Sequence, residues 1–164
     1  MHTITFPATA DKSGFYEDLR AQLTGLLEGE HGMIANAANT AALLYHALPD
    51  VNWAGFYLLQ GEELVLGPFQ GKPACVRIPI GKGVCGTAAE RLQSVVVPDV
   101  NEFPGHIACD TASRSELVVP LLRNGKLLGV LDLDSPLPGR FDETDRTGCE
   151  RLAAIFLASL GSVS

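Results

Sequence analysis

The chain has 164 residues, of which 46% are hydrophobic and 19% charged, and its formal net charge is −7. This length and composition are typical of one soluble globular domain with its own core, so we predict a single domain over residues 1–164. The acidic balance disfavours nucleic-acid binding, because phosphate contacts need a basic surface. No apolar run approaches the roughly 20 residues that span a bilayer, and the N-terminus lacks the pattern of a signal peptide. We therefore expect a cytoplasmic protein with reduced thiols.

Two helices are predicted at the start of the chain. Ser13 is predicted as the N-cap of the first, and Pro49 ends the second. Apolar residues follow in each at helical spacing, on the face that we expect to be buried. In the first helix they are Phe15, Leu19, Leu23 and Leu26. In the second they are Ile34, Ala38, Ala41, Tyr45 and Leu48.

The hydrophobic period then changes to that of strands. A short helix is predicted at 84–91, a long irregular loop at 99–113, and a last helix capped by Asp142. Neighbouring strands with helices at both ends favour an α+β fold. In that fold an antiparallel sheet carries the N- and C-terminal helices on one face, with a pocket and its lid loop on the other. The predicted strands are 53–59, 63–69, 76–80, 94–97, 116–123 and 126–134.

An Asn-Gly pair at 124–125 predicts a hairpin between the last two strands. A regular two-residue loop would turn Glu116 away from Asp132 and Asp134, because a slip of one residue reverses every side chain. If the three acids line one pocket, the hairpin needs a three-residue turn, which pairs Glu116 with Asp132, or a bulge near Pro120. We predict one of these two devices.

The chain has four cysteines, and Cys75, Cys85 and Cys109 lie ten and then twenty-four residues apart. They include no C-x-x-C pair, which disfavours a structural zinc site, and we expect neither a metal nor another cofactor. Spacing alone leaves two alternatives open, redox or nucleophilic chemistry and ordinary buried thiols. Cys149 is assigned to the core, because it lies on the apolar stripe of the last helix. That stripe continues with Leu152, Ala153, Phe156, Leu157 and Leu160.

Two further groups share strand faces. Asp132 and Asp134 are two residues apart and point the same way. They are either solvated strand-end acids or, if a lid covers them, acids of raised pKa that donate a proton and bind an ammonium group. Trp53 and Tyr57 also share a face, as core residues or as the wall of a pocket.

Taken together, the motifs resemble those of the free methionine-(R)-sulfoxide reductases, which are single-GAF-domain enzymes. The resemblance extends from about Asp11 to Leu160 and includes all three family cysteines at the family spacing. Its most specific segments are NWAGFY at 52–57, GKPAC at 71–75, GKGVCGTA at 81–88, HIACD at 106–110 and LDLDS at 131–135.

The resemblance implies reduction of free L-methionine-(R)-sulfoxide to L-methionine. Cys109 would attack the sulfoxide, and Cys75 would resolve the resulting sulfenic acid through a Cys75–Cys109 disulfide that thioredoxin reduces. Cys85 matches the third family cysteine, an alternative or downstream thiol. A homodimer is also implied.

The carboxylate chemistry makes Glu116 and Asp134 the candidate catalytic acids and, with Asp132, the candidate substrate-binding acids. The resemblance implies that Trp53 and Tyr57 hold the S-methyl group of the substrate. His106 and Arg114 are further candidates for favouring the thiolate, and Arg114 also for meeting the substrate carboxylate. Two rival functions remain, a GAF module that binds a small molecule and a thiol redox sensor without sulfoxide reductase activity.

Overall fold

The computed structural model describes residues 11–106 and 112–162. No helix within these residues is long and apolar enough to cross a membrane. The helices are α1 (Lys12–Leu27), α2 (Met33–Ala47), α3 (Gly83–Arg91) and α4 (Glu143–Ser159). The strands are β1 (Trp53–Gln60), β2 (Glu63–Gly71), β3 (Arg77–Pro79), β4 (Val95–Val97), β5 (Ser115–Arg123) and β6 (Lys126–Ser135). Each strand boundary lies within two residues of its prediction.

One six-stranded sheet organises the described residues, in the order β3-β2-β1-β6-β5-β4, with every neighbouring pair antiparallel. The helices α1, α2 and α4 pack on one face, where Leu131 and Leu133 of β6 join the main core. The helix α3 packs on the opposite face, over a second cluster that includes Trp53, Tyr57 and Cys85. The predicted α+β fold, with helices on one face and a pocket on the other, is confirmed.

Both N-terminal helices correct the sequence prediction in detail. The N-cap of α1 is Asp11, whose side chain accepts from the backbone N–H of Ser13, so Ser13 already lies inside the helix. In α2 the predicted face is right for Ala41 and Leu48, which are buried, and wrong for Ile34, which is 75% exposed. The buried face also includes Asn36 and Thr40. These polar side chains tolerate burial because Asn36 Nδ2 donates to Glu30 O at 2.8 Å and Thr40 Oγ1 donates to Asn36 O at 2.7 Å.

The last helix agrees with its prediction. Asp142 is the N-cap and forms a capping box with Asp145. Cys149 is fully buried in the main core, as the apolar stripe predicts. Its Sγ lies 3.8 Å from Tyr16 Oη, and burial raises its pKa to about 12.

The β5–β6 hairpin uses a bulge to set its register. Its turn has two residues, with Asn124 at φ 53° and Gly125 at φ 77°, as a type I′ turn requires. A bulge next to Leu121 then inserts Leu128 as an extra residue of β6. Beyond it the register has shifted by one, and Glu116 faces the same side as both aspartates. The predicted bulge is confirmed.

The pairing differs from the one that a three-residue turn would give. Glu116 lies opposite Asp134, and Asp132 lies opposite Val118. The extra residue is in β6, so the register moves in the direction opposite to that of a longer turn, while the face stays the same.

Candidate functional site

A cavity lies between the sheet and α3, on the face away from the terminal helices. The described residues that the sequence predicts for the site line it, apart from Cys75 and Arg114. Cys109 and the rest of 107–111, the middle of the predicted lid loop, lie outside the described residues. The lining residues are Trp53, Tyr57, Pro73, Ala74, Ile78, Gly83, Val84, Cys85, His106, Ser113, Glu116, Asp132 and Asp134.

Adjacent strands bring the three acids together. Glu116 on β5 pairs directly with Asp134 on β6, and Asp132 stands two residues back on the same face. Glu116 is only 6% exposed and Asp132 only 5%, while Asp134 is half-buried. The alternative of solvated strand-end acids is therefore wrong for Asp132, and Glu116 is buried as well.

Burial decides the charge of these acids. Burial first, and the neighbouring charges of Asp132 and Asp134 second, raise the pKa of Glu116 well above its ordinary value. Burial also raises the pKa of Asp132, although hydrogen bonds from Glu116 and Cys85 oppose the rise. No Lys or Arg is among the described residues that line the cavity. The cluster therefore holds protons that exposed carboxylates would have lost.

Cys85 completes the cluster from the first turn of α3. Its Sγ lies 4.0 Å from Glu116 Oε2, and the side chain is 4% exposed. Burial, then the charges of Asp132 and Glu116, raise its pKa well above the ordinary value for a thiol. Since the thiolate is the nucleophile, Cys85 in this environment is a poor attacking group.

An aromatic stack lies beside the acids on the same sheet face, because Trp53 on β1 pairs directly with Asp134 on β6. The ring of Trp53 lies between Phe69, 5.2 Å away at 15°, and Tyr57, 5.9 Å away at 24°. Gly55 makes the stack possible, because a Cβ there would lie 2.3 Å from Phe69 Cβ and 2.8 Å from the Trp53 ring. The wall is therefore set by the residue between the two predicted aromatics as much as by the aromatics themselves.

The same aromatics hold the segment that carries Cys75. Trp53 Nε1 donates to Lys72 O at 3.1 Å, and the Tyr57 hydroxyl donates to Cys75 O at 2.9 Å. Burial, with help from the charge of Asp132, raises the pKa of Tyr57, which keeps its hydroxyl a donor. Cys75 is disulfide-bonded. Cys85, which lines the pocket, is a free thiol.

Comparison with known proteins identifies the family. A GAF domain model matches residues 26–160. The free methionine-R-sulfoxide reductase of Escherichia coli (strain K12) is 55% identical over 144 residues, which cover 88% of this chain and 87% of that relative. The protein of the same name from Saccharomyces cerevisiae is 44% identical over 160 residues, covering 93% of this chain and 89% of the relative. The chain belongs to the free methionine-R-sulfoxide reductase family of GAF domains.

A solved structure of this family has the same fold. The free methionine-R-sulfoxide reductase of Neisseria meningitidis, in complex with its substrate, superposes with a TM-score of 0.93 at 46% identity. The match covers 97% of this chain and 95% of that one. The predicted family and fold are thereby confirmed.

Two further candidate residues, His106 and Arg114, have different surroundings. His106 lines the cavity, but burial lowers its pKa, which disfavours the imidazolium needed to stabilise a thiolate. Arg114 is not among the lining residues, and its guanidinium pairs with Asp99 at 3.4 Å. That ion pair instead links Asp99, at the start of the loop predicted at 99–113, to the residue that follows the loop.

Sequence reasoning missed other parts of the candidate site. Ser113 lines the cavity, and its hydroxyl accepts from Asn52 Nδ2 at 3.5 Å. Phe69 lies on the neighbouring strand, so its place in the stack depends on the β1–β2 register. Gly55 is inside the NWAGFY segment, and a glycine in a strand interior is itself a signal of close approach.

Proposed function

We propose that the protein reduces free L-methionine-(R)-sulfoxide to L-methionine. The relatives named for this activity support the reaction, and the acidic cavity supports the substrate. The observation that carries the proposal is a set of three acids on one sheet face, two of them buried, beside an aromatic wall and a disulfide-bonded cysteine.

The acids account for recognition of a free amino acid. A zwitterion differs from a peptide-bound residue only in its charged ends, so a selective site has to contact them. The ammonium group would bind among Glu116, Asp132 and Asp134, where no described Lys or Arg competes for the carboxylates. The Trp53 ring, with Tyr57 stacked on it, would contact the S-methyl group.

Two thiols carry the redox step. The Cys109 thiolate attacks the sulfoxide sulfur, and the net transfer of oxygen leaves a sulfenic acid on Cys109 and releases methionine, whose sulfur gains two electrons. The Cys75 thiol then attacks the sulfenic sulfur, the S–O bond breaks, and the oxygen leaves as water. The product is a Cys75–Cys109 disulfide. It is supported by the disulfide-bonded state of Cys75 beside the free thiols Cys85 and Cys149.

A protonated carboxyl group assists the departing oxygen. Glu116 is buried and its pKa is raised, so it holds the proton that this step needs. Asp134, directly opposite on β6, is the partner that returns a proton to Glu116 or shares the ammonium group.

Regeneration requires an external dithiol. Thioredoxin would attack the Cys75–Cys109 disulfide through a mixed disulfide. Cys85 would act as an alternative or downstream thiol, and its raised pKa explains why it does not initiate attack. We place the enzyme in the cytoplasm as a homodimer, in keeping with the free thiols Cys85 and Cys149 and with the family resemblance.

Turnover with thioredoxin and its reductase tests this proposal. We expect methionine from the R epimer of the free sulfoxide, and little from the S epimer. Binding of the sulfoxide without turnover would instead support a ligand-sensing GAF module. Oxidation of Cys75 by peroxide, without any methionine formed from the sulfoxide, would support a thiol redox sensor.

A further inference from the structure

Three potential metal ligands converge in the buried part of the cavity. Cys85 Sγ, one carboxylate oxygen of Glu116 and one of Asp132 all lie within 4.8 Å of one another. They come from α3, β5 and β6, and each residue is at least nine-tenths buried. Because the three residues lie far apart in the sequence, no metal-binding sequence motif predicts them.

One atom of the cluster lacks a partner. Asp132 Oδ1 is buried, and it has no hydrogen bond within the part of the chain that the structure describes. An unsatisfied buried carboxylate oxygen is unfavourable, and buried carboxylates are commonly paired with a cation or bound to a metal. The described lining of the cavity supplies no lysine or arginine for this purpose.

We propose that Cys85, Glu116 and Asp132 form a divalent-cation site for Zn²⁺ or Cd²⁺, and that the bound cation excludes the sulfoxide substrate. Metal binding itself follows from the geometry of these residues alone. Inhibition of the reductase rests on the proposed function.

The spacing of the ligands suits such an ion. A tetrahedral zinc ion bound to one sulfur and one oxygen holds these atoms roughly 3.5 Å apart, given metal–ligand distances of about 2.3 and 2.0 Å. Cys85 Sγ and Glu116 Oε2 are already 4.0 Å apart. Small side-chain rotations close the remaining gap. Three protein ligands also leave one position open for water, as in zinc sites that exchange their fourth ligand.

The donor types determine which ions bind. A thiolate favours soft and borderline ions such as Cd²⁺ and Zn²⁺, whereas Mg²⁺ and Ca²⁺ require more oxygen ligands than this cluster offers. The cation would occupy the space among the acids, where the substrate ammonium is proposed to bind. Cation and free amino acid would therefore compete.

Titration with Cd²⁺ tests binding without any need for activity. The protein is kept oxidised, so that Cys75 remains in its disulfide, and the ultraviolet charge-transfer absorption of a Cd²⁺–thiolate bond is followed. We expect a saturable band at one ion per chain. It should disappear in Cys85→Ser and remain in the matched variant Cys149→Ser, whose thiol is equally buried but lies in the other core.

Two further measurements keep the test decisive if Cys85→Ser does not fold. In Asp132→Asn, Cd²⁺ affinity should fall by about tenfold or more, since even outer-shell changes cost 10- to 100-fold. In the wild-type protein, free methionine sulfoxide should shift the titration midpoint to higher Cd²⁺. A missing band, a band unchanged in Cys85→Ser, or unchanged affinity in Asp132→Asn would overturn the site.

Inhibition is then measured separately. Zn²⁺ should raise the apparent KM for the sulfoxide, and a chelator should restore activity. Cd²⁺ binding without inhibition would overturn the competition but leave the proposed reaction intact. Methionine formation that fails without any metal present would overturn the reaction and leave the metal site intact.

Discussion

Replacing Glu116 by glutamine should both stabilise the protein and inactivate it. The neutral side chain keeps nearly the same shape, and it removes both the burial of an ionisable group and its repulsion from Asp132 and Asp134, the causes that raise the Glu116 pKa. Activity should fall by about 10²- to 10⁴-fold, the usual contribution of a positioned proton donor.

The size of the stability gain depends on pH, and its sign follows from proton binding. Unfolded glutamate loses its proton near pH 4.3, whereas buried Glu116 holds it to a higher pH. Between the two pKa values the folded state binds one more proton, so stability is full below the unfolded pKa and is lost as pH rises toward the folded pKa. Each pH unit in that window costs wild type about 1.4 kcal/mol. Glu116→Gln lacks this loss.

Denaturation by urea at about pH 5, 6 and 7 measures the effect, with a chelator present. The difference in unfolding free energy between Glu116→Gln and wild type should grow by up to about 1.4 kcal/mol per unit as pH rises. The matched control is Glu62→Gln, at an exposed hairpin position, which should follow wild type throughout. Parallel curves for Glu116→Gln and wild type would refute a buried, protonated Glu116.

Further predictions concern the thiols and the aromatic wall. Cys109→Ser should abolish methionine formation, while Cys149→Ser should keep it near the wild-type level. An active Cys109→Ser protein would contradict the assignment of the nucleophile. Cys75→Ser should form about one methionine per chain without reductant, with a sulfenic acid detectable by mass spectrometry; the same phenotype in Cys85→Ser alone would show that Cys85 resolves. Fluorescence of Trp53, the only tryptophan, should change on titration with the free sulfoxide, and an unchanged spectrum would argue against its contact.

The β5–β6 hairpin shows which features the sequence predicts and which it does not. The Asn-Gly pair identifies the turn because both residues adopt positive φ, which few others tolerate. The requirement that the acids share a face indicates that the register must shift by one. The position of the extra residue cannot be deduced, because Leu128 is one of two adjacent leucines in an apolar strand and either could be the extra one.

The helix α2 shows a different limit. Its sequence is so rich in alanine that apolar residues fall on every face, and the hydrophobic period does not select one. Asn36 and Thr40 are buried because hydrogen bonds satisfy them, and Ile34 is left exposed. Such compensation depends on partners brought from elsewhere, so it is visible only in three dimensions.

The sequence likewise predicts only part of the candidate site. Its predicted residues are brought together because strands impose a period of two, and Trp53 and Tyr57 share a face as their spacing requires. The close approach of Cys85 to Glu116 depends on how α3 docks on the sheet, which no local pattern encodes.

The central claim is that an acidic pocket selects the free amino acid by its ammonium group. Comparison of kcat/KM for free methionine-(R)-sulfoxide and its N-acetyl derivative tests this claim directly, because acetylation removes that charge and leaves the carboxylate and the sulfoxide unchanged. Leaving a buried carboxylate unpaired costs at least about 2 kcal/mol, so the free sulfoxide should be preferred by about 30-fold or more. Equal values of kcat/KM for the two compounds would contradict it.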